Sequence, residues 1–164
     1  MQAFVIYIQG HEESEKYSDR CVRSIIETES HLDIEKFPAI TPENMWQVNY
    51  TWPLRKKIKC PKTGLLLSAY KTYDNNKRIA APQSHYMLWR KCVTENKPIM
   101  ILEHDAIFTK KFDGNILERW PGEGAVSIND PIGATFSAKE YDSRLHNGIN
   151  EVPWLTGNDV PQGL

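Results

Sequence analysis

A chain of 164 residues with 40% hydrophobic and 25% charged side chains is large enough to bury one core, and a single domain over residues 1–164 is expected. Twenty Lys and Arg residues stand against 21 Asp and Glu, a net charge of −1, which excludes the global basic field that captures nucleic acid or an anionic membrane. Cys21, Cys60 and Cys92 are odd in number and widely spaced, so neither a disulfide framework nor a C-x-x-C metal knuckle is expected.

The first element predicted is a core strand at residues 3–8, a continuous apolar and β-branched run. It lacks a basic flank and is too short to span a bilayer, so it reads as a strand rather than a signal or a transmembrane segment, and the expected location is the cytoplasm. Gln9, Gly10 and His11 end it. Ser14 is the expected N-cap of a helix reaching Ser30, with Tyr17, Cys21 and Ile25 at helical spacing and Val22 and Ile26 beside them. A short strand follows at residues 32–37, stopped by Pro38, which has no amide to donate to a ladder. Strand, glycine turn, helix and strand open an α/β unit.

Residues 41–78 read as a long loop or insertion. Pro42, Pro53 and Pro61, the basic run from Arg55 to Lys59, and Asp74, Asn75 and Asn76 are loop chemistry, interrupted by Trp46, Tyr50, Trp52, Tyr70 and Tyr73. The basic run is too short for a nucleic-acid platform; a solvated flap with packed aromatics, or a lid over a phosphorylated or sugar-bearing ligand, fits better. Order is expected again from Ile79. Pro82 suits the first turn of a helix, and His85, Leu88, Trp89, Cys92 and Val93 form an apolar stripe headed by a histidine near the helix amino end. Pro98 requires the helix to stop by Asn96 or Lys97.

The run from Pro98 to Phe108, PIMILEHDAIF, then reads as a strand buried on both faces that ends in Glu103, His104 and Asp105. Carboxylates at the mouth of a core strand need a cation, a hydrogen-bond cage or water, and open α/β sheets bind ligands beyond the carboxyl ends of their strands. A polar turn that merely ends the strand is the plain alternative. Residues 125–128 form a further expected core strand, ended by Asn129, Asp130 and Pro131.

Ala80 to Trp89 (AAPQSHYMLW), followed by residues 98–108, resembles the signature of glycosyltransferase family 25, the lipooligosaccharide and collagen galactosyltransferases. The family pattern is a small-residue stretch, Ser-His, an apolar residue and Trp on a helix, then an apolar strand ending in Glu-Asp-Asp. Ser84, His85, Leu88, Trp89, Leu102, Glu103 and Asp105 match in order and spacing, and Phe37, Pro38, Ala39 and Ile40 are similar to an earlier family segment. His104 stands at the middle acid of the triplet, and Ala81 stands where a cysteine is common.

The resemblance implies a Rossmann-like GT-A domain with a mostly parallel sheet and transfer of a hexose, galactose or glucose, from a UDP-sugar to a glycan or lipooligosaccharide acceptor with inversion. It further implies that the domain continues beyond Leu164 into an acceptor half, so that this chain is either shortened or incomplete. A leaving diphosphate calls for Mn²⁺ or Mg²⁺, which prefer oxygen ligands. Asp105 and Glu103 are the candidate metal ligands, with His104 a third, although adjacent strand positions point to opposite faces. Ser84, His85, Glu103 and Arg20 are the donor-binding candidates, His85 through a phosphate at the helix amino end. Asp130 and Asp159 are the candidate general bases, by position alone. The main alternative is a catalytically silent sugar-nucleotide or glycan-binding module; a metal-dependent hydrolase lacks a second ligand cluster.

Overall fold

The computed structural model describes residues 1–49, 58–59, 66–67, 72–119, 125–126 and 128. The chain divides into two compact units, one formed by Met1–Lys56 with Ser68–Phe112, the other by Lys57–Leu67 with Asp113–Leu164.

The first unit is an α/β layer structure. Strand β1 (Gln2–Tyr7) leads through helix α1 (Glu12–Glu27) to strand β2 (Asp33–Pro38). The second unit contributes two short antiparallel strands, β3 (Ile58–Lys59) and β4 (Leu66–Leu67). Returning to the first unit, helix α2 (Asn75–Glu95) precedes strand β5 (Ile99–Glu103). Helix α3 (Ile116–Arg119) belongs to the second unit.

The sheet of the first unit has the order β2-β1-β5 with both pairings parallel. Its register sets Tyr7 beside Pro38 and Ile6 beside Glu103. Pro38 ends an outer strand of this sheet, where a missing amide costs no ladder bond. The apolar alternation of β1 fills both faces. Ala3 and Val5 pack with Met100, Leu102, Cys21 and Ile25 against α1, whereas Phe4 and Ile6 pack with Ile99, Ile101 and Leu88 against α2. Right-handed crossovers demand this arrangement, since the chain leaves β1 in one direction for β2 and returns past it to β5. The switch of direction lies between β1 and β5, so their carboxyl ends open the crevice where such sheets bind ligands.

Several expectations need correction. The cap of α1 is His11, whose Nδ1 accepts from the Ser14 amide at 3.3 Å, while the Ser14 hydroxyl accepts from the Ile8 amide. The helix stops at Glu27, short of Ser30. Its buried face is Ser14, Ser18, Cys21, Ser24 and Ile25, and Ile26 faces outward. Order returns at Asn75 rather than Ile79, because Asp74 caps α2 by accepting from the amides of Asn76 and Lys77. Asx residues serve turns and caps by the same side-chain acceptor, so loop composition concealed a helix start. Pro82 consequently lies inside the helix and not in its first turn. A one-turn 3₁₀ segment at Met45–Gln47 also breaks the expected loop at 41–78. The apolar stripe of α2 is displaced as well: Ala80, Gln83, Ser84 and Leu88 are buried, while Trp89 is 50% and Val93 80% exposed. The core strand expected to end in Glu103, His104 and Asp105 does end there, at Glu103, where the Ala106 amide closes a turn onto the Glu103 carbonyl. Ala125, Val126 and Ile128, the described part of the expected strand at 125–128, are irregular, with Ile128 exposed.

Candidate active site at the carboxyl ends of β1 and β5

The crevice is built by two turns wired through side chains. After β1, Gly10 takes a left-handed φ of 78°, and the Gly10 amide donates to Glu15 Oε1 at 2.8 Å. With His11 and Ser14 bonded as described, the turn is fixed at the amino end of α1. After β5, the chain crosses to the far end of α1, where the Phe108 amide donates to Ser24 Oγ and the Phe112 amide to Ser30 Oγ, each at 3.0 Å. These bonds hold residues 103–108 against the helix and fix where the acidic strand end points.

Glu103 shares the face of β5 that carries Ile99 and Ile101 toward α2. There its Oε1 meets His85 Nε2 at 3.1 Å. The Glu103 side chain is 63% exposed, so the pair leaves the second carboxylate oxygen open to the crevice. The hydrogen bond from His85 holds the Glu103 carboxyl below the usual carboxylate range, against opposing desolvation and with help from the charges of His85 and His104. Trp89, one turn further along α2, sets its ring 6.2 Å from that of His85, at a tilt.

His104 turns the other way. Its ring stacks on Tyr17 of α1, with centroids 6.0 Å apart and planes 12° from parallel. The Arg20 guanidinium lies 4.9 Å above the Tyr17 ring, so Arg20, Tyr17 and His104 form one cluster at the α1 side of the crevice. Asp105 is exposed and lies close enough to Cys21 for its charge to help burial push that thiol up to about 11, which sets it on the same side.

The predicted residues therefore separate. Glu103 with His85, and Asp105 with His104 and Arg20, flank the end of β5 from opposite faces. Ser84 is not open to a ligand: it is only 2% exposed, and its hydroxyl accepts from the Ile40 amide at 2.9 Å and donates to the Ala80 carbonyl. Its part is to tie the segment after β2 to α2. His85 does not lie at a helix amino end either, since α2 begins ten residues earlier at Asn75. Asp130 and Asp159, the base candidates, lie outside the described residues, as do Cys60, Trp52 and the greater part of the basic run. Sequence reasoning missed Tyr17, whose periodic position marked it as core although its ring serves as the platform for both Arg20 and His104.

Glu103 and Asp105 offer hard oxygen donors two residues apart. Among the described residues, no three His, Cys, Asp or Glu side chains group to hold a metal unaided. Mg²⁺ and Mn²⁺ commonly use one or two carboxylates and fill their other positions with phosphate and water, so either acid fits such an ion when a diphosphate accompanies it, while their placing on opposite faces offers no shared pair. Among the described residues, no helix is long and apolar enough to cross a membrane.

The family model described as glycosyltransferase family 25 (LPS biosynthesis protein) matches residues 22–120, more than half of the chain. No curated protein and no solved structure matches it.

Proposed function

The chain belongs to glycosyltransferase family 25, and from that membership we propose that it moves a hexose, galactose or glucose, from a UDP-sugar to a glycan acceptor of the lipooligosaccharide type. In this reading the α/β unit is a GT-A nucleotide-sugar domain working in the cytoplasm. The observation that carries the reading is the His85–Glu103 pair at the carboxyl end of β5, beside β1 at the switch point of the sheet.

The chemistry follows from the charges involved. The acceptor hydroxyl oxygen bonds to the anomeric carbon, the bond from that carbon to the diphosphate oxygen breaks, and its electron pair leaves on the diphosphate. The hydroxyl proton passes to a general base, for which Asp130 and Asp159 are the proposals. His85, with its proton on Nε2, donates to Glu103 Oε1 and fixes the carboxylate. The open oxygen of Glu103 then accepts from a donor hydroxyl such as that of the ribose. Asp105, or Glu103 from the other face, is the residue that would hold Mn²⁺ or Mg²⁺, which when bound offsets the negative charge gathering on the leaving diphosphate. Arg20, exposed over Tyr17, adds positive charge at the α1 side.

UDP release from UDP-galactose and UDP-glucose tests the proposal. Turnover is expected with Mn²⁺ or Mg²⁺, with a loss of at least about tenfold in Asp105→Asn, since each 1.4 kcal/mol of lost stabilisation is a factor of ten. Equal turnover in the presence of a chelator would remove the metal role. The stacking of His104 on Tyr17 favours one second reading, a donor-binding module without transfer, because the strand end then presents two separated acids rather than a convergent triplet. Calorimetry distinguishes the two: UDP binding with neither hydrolysis nor transfer supports the module.

A further inference from the structure

Arg78 is the one buried cation among the described residues, with only 6% of its surface exposed. Its Nε is sealed from solvent and meets no hydrogen-bond acceptor, and none of the ion pairs among the described residues includes it. Asp74, the N-cap one turn earlier, spends Oδ1 on the amides of Asn76 and Lys77. An arginine keeps its charge when buried, and burying a charge without a partner is costly enough that proteins rarely do so without a ligand or role for it.

Helix geometry gives that charge a place relative to the site. Seven residues separate it from His85, and eleven from Trp89, so at 100° per residue the three lie on one stripe of α2. His85 fixes what the stripe faces, because its ring meets Glu103 at the carboxyl end of β5. Helix α2 runs down to Glu95 just before β5 begins at Ile99, so its early turns rise past the carboxyl edge of the sheet. Arg78 therefore sits about 10 Å beyond the level of the His85–Glu103 pair, at 1.5 Å of rise per residue. That level is one a nucleotide held at Glu103 would reach if it extended outward from the sheet.

We propose that Arg78 is a binding residue for a diphosphate oxyanion, its guanidinium fork being matched to phosphate oxygens in a way that a lysine's point charge is not. The inference rests on the glycosyltransferase reading for the source of that diphosphate, the UDP part of the donor. The chemistry itself, a phosphate oxyanion on a buried guanidinium, does not depend on that source.

Calorimetry on the full chain with inorganic pyrophosphate, UDP and uridine, in wild type, Arg78→Gln and Arg78→Lys, tests it, with thermal melting run beside each titration. Pyrophosphate and UDP are expected to bind wild type, to lose at least tenfold in Arg78→Gln and to recover in part in Arg78→Lys, while uridine is unaffected. The melting temperature of Arg78→Gln is expected to hold or rise, since an unpaired buried charge has been removed. Arg78→Lys, which keeps charge and bulk, gives the binding readout if the glutamine variant does not fold; lysine affinity equal to wild type for pyrophosphate then counts against a fork-specific site. Unchanged pyrophosphate binding in Arg78→Gln, no pyrophosphate binding by wild type, or a fall in melting temperature that lysine restores overturns the inference. If wild type releases no sugar from any UDP-hexose yet binds pyrophosphate through Arg78, the glycosyltransferase reading falls and the anion site stands.

Discussion

A carboxylate that accepts from His85 through one oxygen is held ionised in the folded chain, and this gives Glu103 a pH signature. Its folded pKa lies below the ordinary carboxylate value, so the unfolded chain takes up the proton first as pH falls. The stabilisation is complete above the ordinary carboxylate range and is lost as pH drops through the folded pKa. Because the pair is well exposed, solvent screening limits its worth to at most about 1 kcal/mol. Glu103→Gln should thus melt below wild type at pH 7, by at most roughly 2–4 °C for a chain of this size, and the gap should close as pH falls through the folded pKa of Glu103. A difference that persists unchanged in acid would show that the glutamine disturbs packing rather than charge. Neither this pairing nor the role of Arg78 was legible in the residues alone. Glu103 could be seen to need a partner, but an arginine in a polar helix start reads as a solvated charge, and only burial reveals otherwise.

At the scale of elements, the strands β1, β2 and β5 and both long helices were legible where apolar residues run together or recur. What misled was the choice of face. Helix α1 buries Ser14, Ser18 and Ser24, and α2 buries Ala80 and Ser84, small residues that hydrophobic periodicity does not count. Ser18 and Ser24 satisfy their hydroxyls on the carbonyls of Glu15 and Cys21, so they behave as small core residues that let helix and sheet approach. The same blind spot exposed Trp89 and Val93, which a reading by apolar count had buried. Pro82 offers a direct test of the helix. Placed inside α2, it has no amide for the Arg78 carbonyl one turn before. Pro82→Ala restores that bond and removes the ring clash, against a smaller loss from a more flexible unfolded chain. The net expectation is a gain of about 2 kcal/mol, read as a raised midpoint in urea with an unchanged slope. A lowered midpoint would mean that the proline ring is itself part of the packing.

For the whole molecule, the family match begins at residue 22, after the strand on which the site depends. β1 is flanked on both sides, by β2 and β5, and its carboxyl end forms one wall of the crevice whose other wall is Glu103. The direction switch between β1 and β5 could be anticipated from strand, helix and strand in sequence. The division of the chain into two compact units could not, because residues 57–67 carry loop chemistry and reveal nothing of the residues they group with. If the crevice binds the donor, its effect should be local to those two walls. A ligand that binds only the native state at one hundred times its dissociation constant stabilises by about 2.7 kcal/mol, and amides opening with the site are slowed about one hundredfold in exchange. UDP is therefore expected to slow hydrogen exchange at residues 8–15, the wired turn into α1, and at residues 103–108 after β5. The amides of residues 33–37, on the far side of β1, should change less unless they exchange only by global unfolding. In Glu103→Gln the protection at both walls should fall together, since one carboxylate anchors the ligand between them. Protection that survives there in full while the Arg78→Gln variant loses it would move the anchor of the nucleotide from the strand end to the early turns of α2.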